Sequence, residues 1–226
     1  MKHASLTDNR LHELTERFAS RRIAVLGDFF LDKYLDVNPS LVETSVETGK
    51  SAHQVVDVRC SPGAAGTVVS NLAALGAAEL HAVGFTGDDG EGYELRRGLE
   101  ALGCETDRLI RSDVFRTPTY LKPRSTLIGG LAGEHSRYDT KNREALPQNL
   151  QKVIIEGLDL LLPHVDGVIV LDQVGEVNGG VVSEEIRDVV ITRARQYAQV
   201  IFWVDSRVRL HEFRGVMLKS NEYEVV

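Results

Sequence analysis

The chain has 226 residues, of which 42% are hydrophobic and 26% charged, a composition typical of a globular domain with a sizeable core. Its formal net charge of -7 argues against a nucleic-acid partner, because such partners require a basic surface. No apolar run approaches the roughly 18 residues that span a bilayer, and residues 1–22 are too polar for a secretory signal. We therefore expect a cytoplasmic protein without a membrane partner.

The first predicted element is a helix over residues 7–19, where Leu11, Leu14 and Phe18 share one face. The continuous apolar run at 23–26 predicts a strand that is buried on both faces. A less regular stretch with short β-prone pieces follows over residues 32–62. The later elements are expected in this order: helix 65–75, strand 80–83, helix 91–102, strand 108–110, a helix beginning at Pro147, strand 168–171, helix 183–198, and buried strands at 200–204 and 216–218.

Apolar strands that alternate with amphipathic helices predict an α/β fold, with a mostly parallel sheet and helices on both faces. Two segments interrupt this alternation, at residues 33–60 and 117–139. The second segment alternates in polarity, so we expect it to form antiparallel strands with one solvated face. Together the two segments are expected to form a small β-lid over one edge of the sheet.

Ligands of an open α/β sheet bind where the strands end, so polar residues at those positions are candidate site residues. Asp28 follows the first strand, and it could either accept hydrogen bonds from sugar-like hydroxyls or cap a turn. The glycine-containing turn at 61–67 precedes a helix of small residues and could let a ligand approach the backbone. Asp172, Asp205 and Arg207 follow later strands at the same edge.

Basic side chains occur in the predicted lid at Lys122, Arg124 and Arg137. They could bind a phosphate, although solvated strand residues are the alternative for each of them. The acidic, glycine-rich segment 84–92 lacks the EF-hand spacing and is predicted to connect a strand to a helix. The 7 histidines show no metal-ligand spacing.

Taken in chain order, these motifs resemble those of the ribokinase-like (PfkB) sugar kinases, most closely the heptose-phosphate kinase domain of ADP-heptose synthesis. The likeness covers nearly the whole chain. The matching stretches are 25–28 with 31–32, 62–67 with 71–76, 83–90, 118–119 with Lys122 and Arg124, Arg137 with Asp139, Asp172, and Asn221-x-x-Glu224.

For the acceptor side, the resemblance implies that Asp28 and Asp32 bind a sugar or sugar phosphate and that the turn at Gly63 cradles it. Thr67 stands where the family usually has a sugar-binding asparagine. The basic lid residues Lys122 and Arg137 would suit a phosphorylated sugar.

For the nucleotide side, the resemblance implies ATP-dependent phosphorylation of that sugar, as in other carbohydrate kinases. Asn221 and Glu224 would help to organise Mg²⁺, its water ligands and the ATP phosphates, without a direct metal ligand in this chain. The resemblance also makes residues 1–226 the N-terminal portion of one kinase domain. A homodimer that forms through the β-lid is a further expectation.

Some positions depart from the family pattern. Its glycine pair before the helix is Gly63-Ala64 in this chain, and a methyl group at Ala64 crowds a close backbone approach. Thr67 is shorter than asparagine and cannot donate as an amide does. Pro123 removes a backbone donor from a lid strand, which favours an edge position. The sugar preference is therefore left open.

The family's catalytic base lies in a G-A-G-D motif that is expected beyond residue 226, so no catalytic residue is assigned here. We expect negligible kinase activity from the isolated chain, since loss of a base alone costs about 10²–10⁴-fold. Two alternatives remain. One is a non-catalytic relative that binds a sugar, a nucleotide or a partner protein. The other is an unrelated dinucleotide-binding or nucleotide-sugar-binding domain, which the missing G-x-G-x-x-G fingerprint disfavours.

Overall fold

The computed structural model describes residues 6–221 of the chain. The helices in this range are α1 (Asp8–Glu16), α2 (Ala65–Ala74), α3 (Gly90–Ala101), α4 (Gln148–Leu161) and α5 (Glu184–Gln196). Side chains cap three of them, because Thr7, Asp89 and Ser183 accept hydrogen bonds from backbone amides in the first turns of α1, α3 and α5. Within residues 6–221, no helix is long and apolar enough to cross a membrane.

The strands of the same range are β1 (Arg22–Gly27), β2 (Phe29–Val37), β3 (Glu43–Thr44), β4 (Ser51–Ala52), β5 (Val55–Ala64), β6 (Glu79–Gly87), β7 (Cys104–Ser112), β8 (Thr119–Ser125), β9 (Tyr138–Thr140), β10 (Gly167–Asp172), β11 (Ile201–Ser206) and β12 (Met217–Lys219). Most of them belong to two sheets, and β3 pairs only with β4.

The larger sheet has six strands in the order β12-β11-β10-β1-β6-β7, and every neighbouring pair is parallel. One face packs on α4 and α5, with Ile154 and Ile186 in its core. The other face packs on α2 and α3, with Val69 and Leu95 in its core. The predicted α/β class and the largely parallel sheet between two helical layers are confirmed.

The second sheet has four strands in the order β5-β2-β8-β9. Strand β2 begins directly after β1, so the main sheet continues into the second sheet through Asp28 alone. The stretch expected to be less regular is therefore mostly two long strands, β2 and β5, which pair antiparallel over nine residue positions. Alternation of apolar and polar residues along β2 was the signal for this strand.

The expectation of purely antiparallel pairing over residues 117–139 was wrong for β8. This strand pairs parallel with β2 and antiparallel with β9. The reason is its starting point: the amide of Leu31 donates to the carbonyl of Pro118 at 2.8 Å, so β2 and β8 leave the same edge of the main sheet in the same direction.

Strands β11 and β12 have one face that the core under α2 and α3 does not include. On this face Ile201 is 55% exposed, Met217 is 53% exposed and Trp203 is 44% exposed. The prediction of a buried strand at 216–218 was therefore wrong, since β12 is exposed along its whole length. The N-terminal helix α1 likewise has no buried residue.

Candidate functional site

Asp28 joins three parts of the molecule at the carboxyl end of β1. Its backbone amide donates to Leu171, and its carbonyl accepts from the amide of Ala65 at the start of α2. Its carboxylate accepts three backbone amides, from Gln173 at 2.8 Å, Val174 at 3.1 Å and Val181 at 2.7 Å. Asp28 thus holds the loop that follows β10.

The carboxylate of Asp28 is only 4% exposed. Burial raises its pKa to about 6, against the opposing effect of the amide hydrogen bonds from Val181 and Gln173. Gly180 allows this approach, since a Cβ there would lie 2.6 Å from a carboxylate oxygen of Asp28. Of the two roles considered for Asp28, these contacts support the structural one, in which it holds a turn. Sugar binding by Asp28 stays a prediction.

Arg209 holds the same loop from the opposite side. Its guanidinium donates to the carbonyls of Val174, Gly175 and Glu176, and it contacts both carboxylate oxygens of Asp172 at 3.1 and 3.2 Å. Sequence reasoning missed Arg209, because nothing in the local pattern after β11 distinguishes it from an exposed turn residue.

The other polar residues at this edge are also engaged with protein groups. Asp172 accepts from the hydroxyl of Ser206 at 2.6 Å, and burial raises its pKa despite that bond and the charge of Arg209. Asp205 accepts from Lys219 at 2.9 Å. Arg207 donates to the side-chain oxygen of Gln173 at 3.1 Å. The edge is thus organised by ion pairs and hydrogen bonds.

The turn before α2 lies beside the second sheet. A Cβ on Gly63 would come within 3.0 Å of the Asp32 carboxylate, so glycine leaves room for that carboxylate. Ala64 has φ 51°, a positive value that glycine adopts readily and alanine only at a cost in conformational energy. Thr67 is exposed in the first turn of α2.

One face of the second sheet carries the polar residues of β2 and β8. Asp32, Tyr34 and Asp36 alternate along β2, and in register with them Tyr120, Lys122 and Arg124 alternate along β8. We call this surface the lid face; it also includes Arg59 and Asp57 of β5, Asp139 of β9 and Arg137.

At the centre of the lid face, the ammonium of Lys122 donates to Asp32 at 2.8 Å and to the hydroxyl of Tyr34 at 3.3 Å. Burial lowers the pKa of Lys122, but these two hydrogen bonds outweigh it and the pKa is raised. Lys122 is therefore a fixed cation that orients the Asp32 carboxylate. The structure brings these two predicted residues together.

Arginines pair with acids on either side of this centre. Arg59 donates to both oxygens of Asp36 at 3.0 Å. Arg137 donates to both oxygens of Asp139, at 2.6 and 2.9 Å, and lies 4.2 Å from the centre of the Tyr120 ring. Such fork-to-fork pairs fix the guanidinium planes.

The lid face continues toward Asp28 through an aromatic contact. The rings of Phe30 and Tyr120 meet edge to face with centroids 5.1 Å apart. Phe30 and Asp28 line a small cleft, together with Lys141 and Glu176. Of the substrate candidates, Asp32, Lys122 and Arg137 lie on the lid face and Gly63 lies beside Asp32. Asp28 lines the cleft at the edge of the main sheet.

The acidic segment 84–92 connects β6 to α3, as expected. Asp89 accepts from the amide of Gly92 at 2.7 Å and from the amide and hydroxyl of Thr117 at 2.9 and 2.7 Å. Asp89 therefore holds the start of β8 in place, which is a structural role and not ligand binding.

The predicted nucleotide residues lie at the end of the described chain. Asn221 follows β12 at the carboxyl edge of the main sheet, and Glu224 lies outside the described residues. Within 6–221, no group of three or more His, Cys, Asp or Glu side chains is arranged to hold a metal ion. We therefore assign no Mg²⁺ ligands.

Comparison with known sequences identifies bifunctional proteins as relatives, while no protein-family model matches the chain. It is 27% identical over 206 residues to the bifunctional protein HldE of Gluconobacter oxydans, which covers 91% of this chain and 40% of that protein. It is 30% identical over 198 residues to HldE of Magnetococcus marinus, covering 82% of this chain and 36% of that protein. The chain thus spans well under half the length of these relatives.

Solved structures with the same fold include a phosphofructokinase and a PfkB protein. Phosphofructokinase-2 from Escherichia coli, in complex with potassium, matches with a TM-score of 0.60 at 17% identity, over 90% of this chain and 61% of that chain. The PfkB protein from Polaromonas sp. JS666 matches with a TM-score of 0.51 at 13% identity, over 83% and 56% of the two chains. The chain is therefore a homologue of the HldE proteins and has the fold of the ribokinase-like (PfkB) sugar kinases.

Proposed function

We propose that this chain carries the acceptor site of a carbohydrate kinase, which phosphorylates a sugar or sugar phosphate with ATP. The observation behind this proposal is the pair of Asp32 and Lys122, held at 2.8 Å beside Gly63 on the lid face. An ionised carboxylate accepts hydrogen bonds from hydroxyls, and an adjacent ammonium donates them. The relatives favour this reading over a non-catalytic binding protein.

In this proposal the tyrosines of the lid face supply the apolar part of the site. The rings of Tyr34 and Tyr120 flank Lys122, whose ammonium lies 4.9 and 5.8 Å from their centres. A sugar presents C–H groups on its ring faces and hydroxyls at its edges, so aromatic rings beside fixed charges suit it. Gly63 leaves space next to Asp32, and Thr67 in the first turn of α2 would contribute a hydroxyl.

The nucleotide side of the proposal depends on the family resemblance. When bound, ATP with Mg²⁺ would supply the phosphoryl group and neutralise its charge during transfer. Asn221 stands at the carboxyl edge where such a ligand would meet the sheet. Asn221 and Glu224 are the residues that we propose for this side.

We further propose that the protein is cytoplasmic and forms a homodimer through the second sheet. Its edge strand β5 exposes Val55, Val56 and Val58, which a second copy could cover. Cross-linking at β5 with loss of dimer in Val56→Lys would support this assembly, whereas a monomer at all concentrations would contradict it.

Isothermal titration with mannose, fructose, ribose and their terminal monophosphates tests the proposed function. We expect one of these compounds to bind, and Asp32→Asn to weaken its binding at least about tenfold through loss of a charged hydrogen bond. Asp188→Asn on α5 is the matched control, since it removes the same charge outside the site. Absence of binding by every compound would contradict the proposal.

A parallel assay of ADP release from ATP and Mg²⁺ tests the expectation that residues 1–226 alone lack activity. Sugar-dependent release above the enzyme-free rate, lost in Asp32→Asn, would overturn that expectation and support the kinase assignment directly.

A further inference from the structure

The second sheet has another face on the side opposite the lid face, and we call it the outer face. Its members alternate with those of the lid face along the same strands; they are Leu35 and Val37 of β2, Val55 and Val58 of β5, Pro123 of β8 and Tyr138 of β9. Nearer the main sheet this side is covered by α3, where Lys33 pairs with Glu91 at 2.9 Å. Farther out, Val55, Val58 and Tyr138 are exposed.

A groove of about 360 Å³ lies on the outer face. It is lined by aliphatic residues of β2, β5 and β8, by Ser136 and Tyr138, and by two histidines, His53 and His135. None of the lining residues carries a carboxylate, an ammonium or a guanidinium group, whereas the lid face of the same strands is densely charged. A charged partner would therefore lose water here without gaining a counter-ion, so an apolar, uncharged partner suits the groove.

The two histidines are the groups in this groove whose charge can change near neutral pH. Their ring centres lie 6.1 Å apart, and the backbone amide of His135 holds its segment beside β8 by donating to the carbonyl of Pro123 at 2.8 Å. Imidazole is the side chain that ordinarily changes charge between pH 5 and 8. Acidic pH therefore places two like charges in a groove that is otherwise uncharged.

The charged residues of the surrounding segments lie outside the lining of the groove. They are Glu43, Glu47 and Lys50 on the β3–β4 hairpin, Asp36, Asp57 and Arg124 on the lid side of β2, β5 and β8, and Glu134 and Arg137 beside β9. Lys33, nearer the main sheet, is occupied by Glu91. No carboxylate thus lines the groove to offset the charge of a protonated histidine.

We propose that two copies of this chain associate through their outer faces, and that His53 and His135 make this association dependent on pH. Because the homodimer belongs to the proposed function, its contact face and its pH response rest on that proposal. A second copy fits because two identical outer faces are both apolar and uncharged at neutral pH. Sheets of this kind pack face to face about 10 Å apart, with their side chains interdigitated.

Protonation should weaken the dimer more than it affects the monomer. In a single copy both histidines are exposed, so their charged forms remain hydrated. Between two outer faces the same imidazoles would be buried beside those of the partner, and both burial and like charge disfavour protonation there. We expect the dissociation constant of the dimer to rise at least about tenfold from pH 8 to pH 5.5.

Sedimentation velocity of the 226-residue chain over a range of concentrations at pH 8 and pH 5.5 measures this change. The double variant His53→Gln/His135→Gln should keep the dimer and lose most of the pH dependence. His164→Gln is the matched control, since it removes an exposed histidine from the turn after α4, and it should respond to pH as the unmodified chain does. Far-ultraviolet circular dichroism at pH 5.5 separates dissociation from unfolding.

A permanent charge provides a second variant. His135→Lys should weaken the dimer at pH 8 about as much as acid weakens it in the unmodified chain, because the ammonium stays charged at both pH values.

A dimer whose dissociation constant is the same at both pH values, or whose pH dependence survives in the double variant, would overturn the inference and leave the proposed homodimer and sugar binding intact. A chain that is monomeric at every pH and concentration would overturn both the inference and the homodimer. Sugar binding is measured separately by titration, so its failure is distinguished from both of these outcomes.

Discussion

Asp28 has a buried carboxylate whose hydrogen-bond partners are 145 to 153 residues away in the chain. Its position at the end of β1 could be predicted, because an aspartate directly follows an apolar strand and a glycine. Its partners could not, because they are backbone amides of a loop whose path depends on Gly180 and Arg209. A sequence pattern does not indicate which backbone amides of a distant loop will donate to a given carboxylate.

The raised pKa of Asp28 makes a specific prediction about stability and pH. Since burial raises the pKa in the folded protein to about 6 from 3.8, the unfolded chain loses this proton first as the pH rises. The stabilisation from this group is therefore full below about pH 4 and is lost as the pH rises through 6. It should fall by up to about 3 kcal/mol across this range.

Urea unfolding of the unmodified chain and Asp28→Asn at a series of pH values measures this effect. The free energy of unfolding of the unmodified chain, minus that of the variant, should decrease from pH 4 to pH 7. If this difference in free energy stays constant or increases with pH, the amide hydrogen bonds outweigh burial in setting the pKa of Asp28.

Ala64 is the residue at which the family's glycine is missing, and its φ of 51° explains why glycine suits the position. Ala64→Gly should raise the free energy of unfolding by about 1 kcal/mol, because it removes the left-handed strain of a residue with a Cβ. Ala74→Gly, at the last residue of α2, is the control and should lower stability by up to about 1 kcal/mol. Thermal unfolding of the two variants measures these changes. A loss of stability in Ala64→Gly would show that the backbone at Ala64 is not strained.

At the scale of elements, the loop between β10 and α5 is fixed from both sides, by Asp28 and by Arg209. The packed helices could be predicted from their hydrophobic period, and the central strands of the main sheet from their continuous apolar runs. The direction of β8 could not be predicted, because its polarity alternates in the same way whether its neighbour runs parallel or antiparallel. The hydrogen bond from Leu31 to Pro118 places the start of β8 beside β2, and seven register pairs follow from there.

Arg209→Ala should therefore release the loop and leave Asp172 buried without its cation. We expect a loss of about 3 kcal/mol in the free energy of unfolding, typical of a broken buried ion pair. Arg195→Ala, which removes an exposed arginine from α5, should cost less than about 0.5 kcal/mol.

Hydrogen exchange distinguishes loop release from general destabilisation in Arg209→Ala. Relative to the unmodified chain, the variant should accelerate exchange of the Gln173 and Val174 amides more than exchange of the β1 amides under native conditions. Equal acceleration throughout the chain would contradict a local role for Arg209.

At the scale of the whole molecule, the two faces of the main sheet differ. Helices α4 and α5 cover one face, whereas the other face is open over β11 and β12. Parallel sheets are normally covered on both faces, so this open region is an unusual exposed apolar surface. Trp203 lies in it and is the single tryptophan of the chain.

Acrylamide quenching of Trp203 fluorescence should therefore be substantial in the folded chain, at a value between those of a buried and an unfolded tryptophan. If quenching of Trp203 by acrylamide decreases as the protein concentration rises, a second copy of the chain covers this face. Weak quenching at low protein concentration would contradict the open face.

The central claim is that the lid face binds the acceptor sugar. Hydrogen–deuterium exchange of the 226-residue chain, with and without the tightest-binding sugar, tests this claim most directly. We expect added protection concentrated in β2, in β8 and in the turn before α2, with little change in α4 and α5. Protection confined to α4 and α5, or absent from β2 and β8, would contradict sugar binding at the lid face.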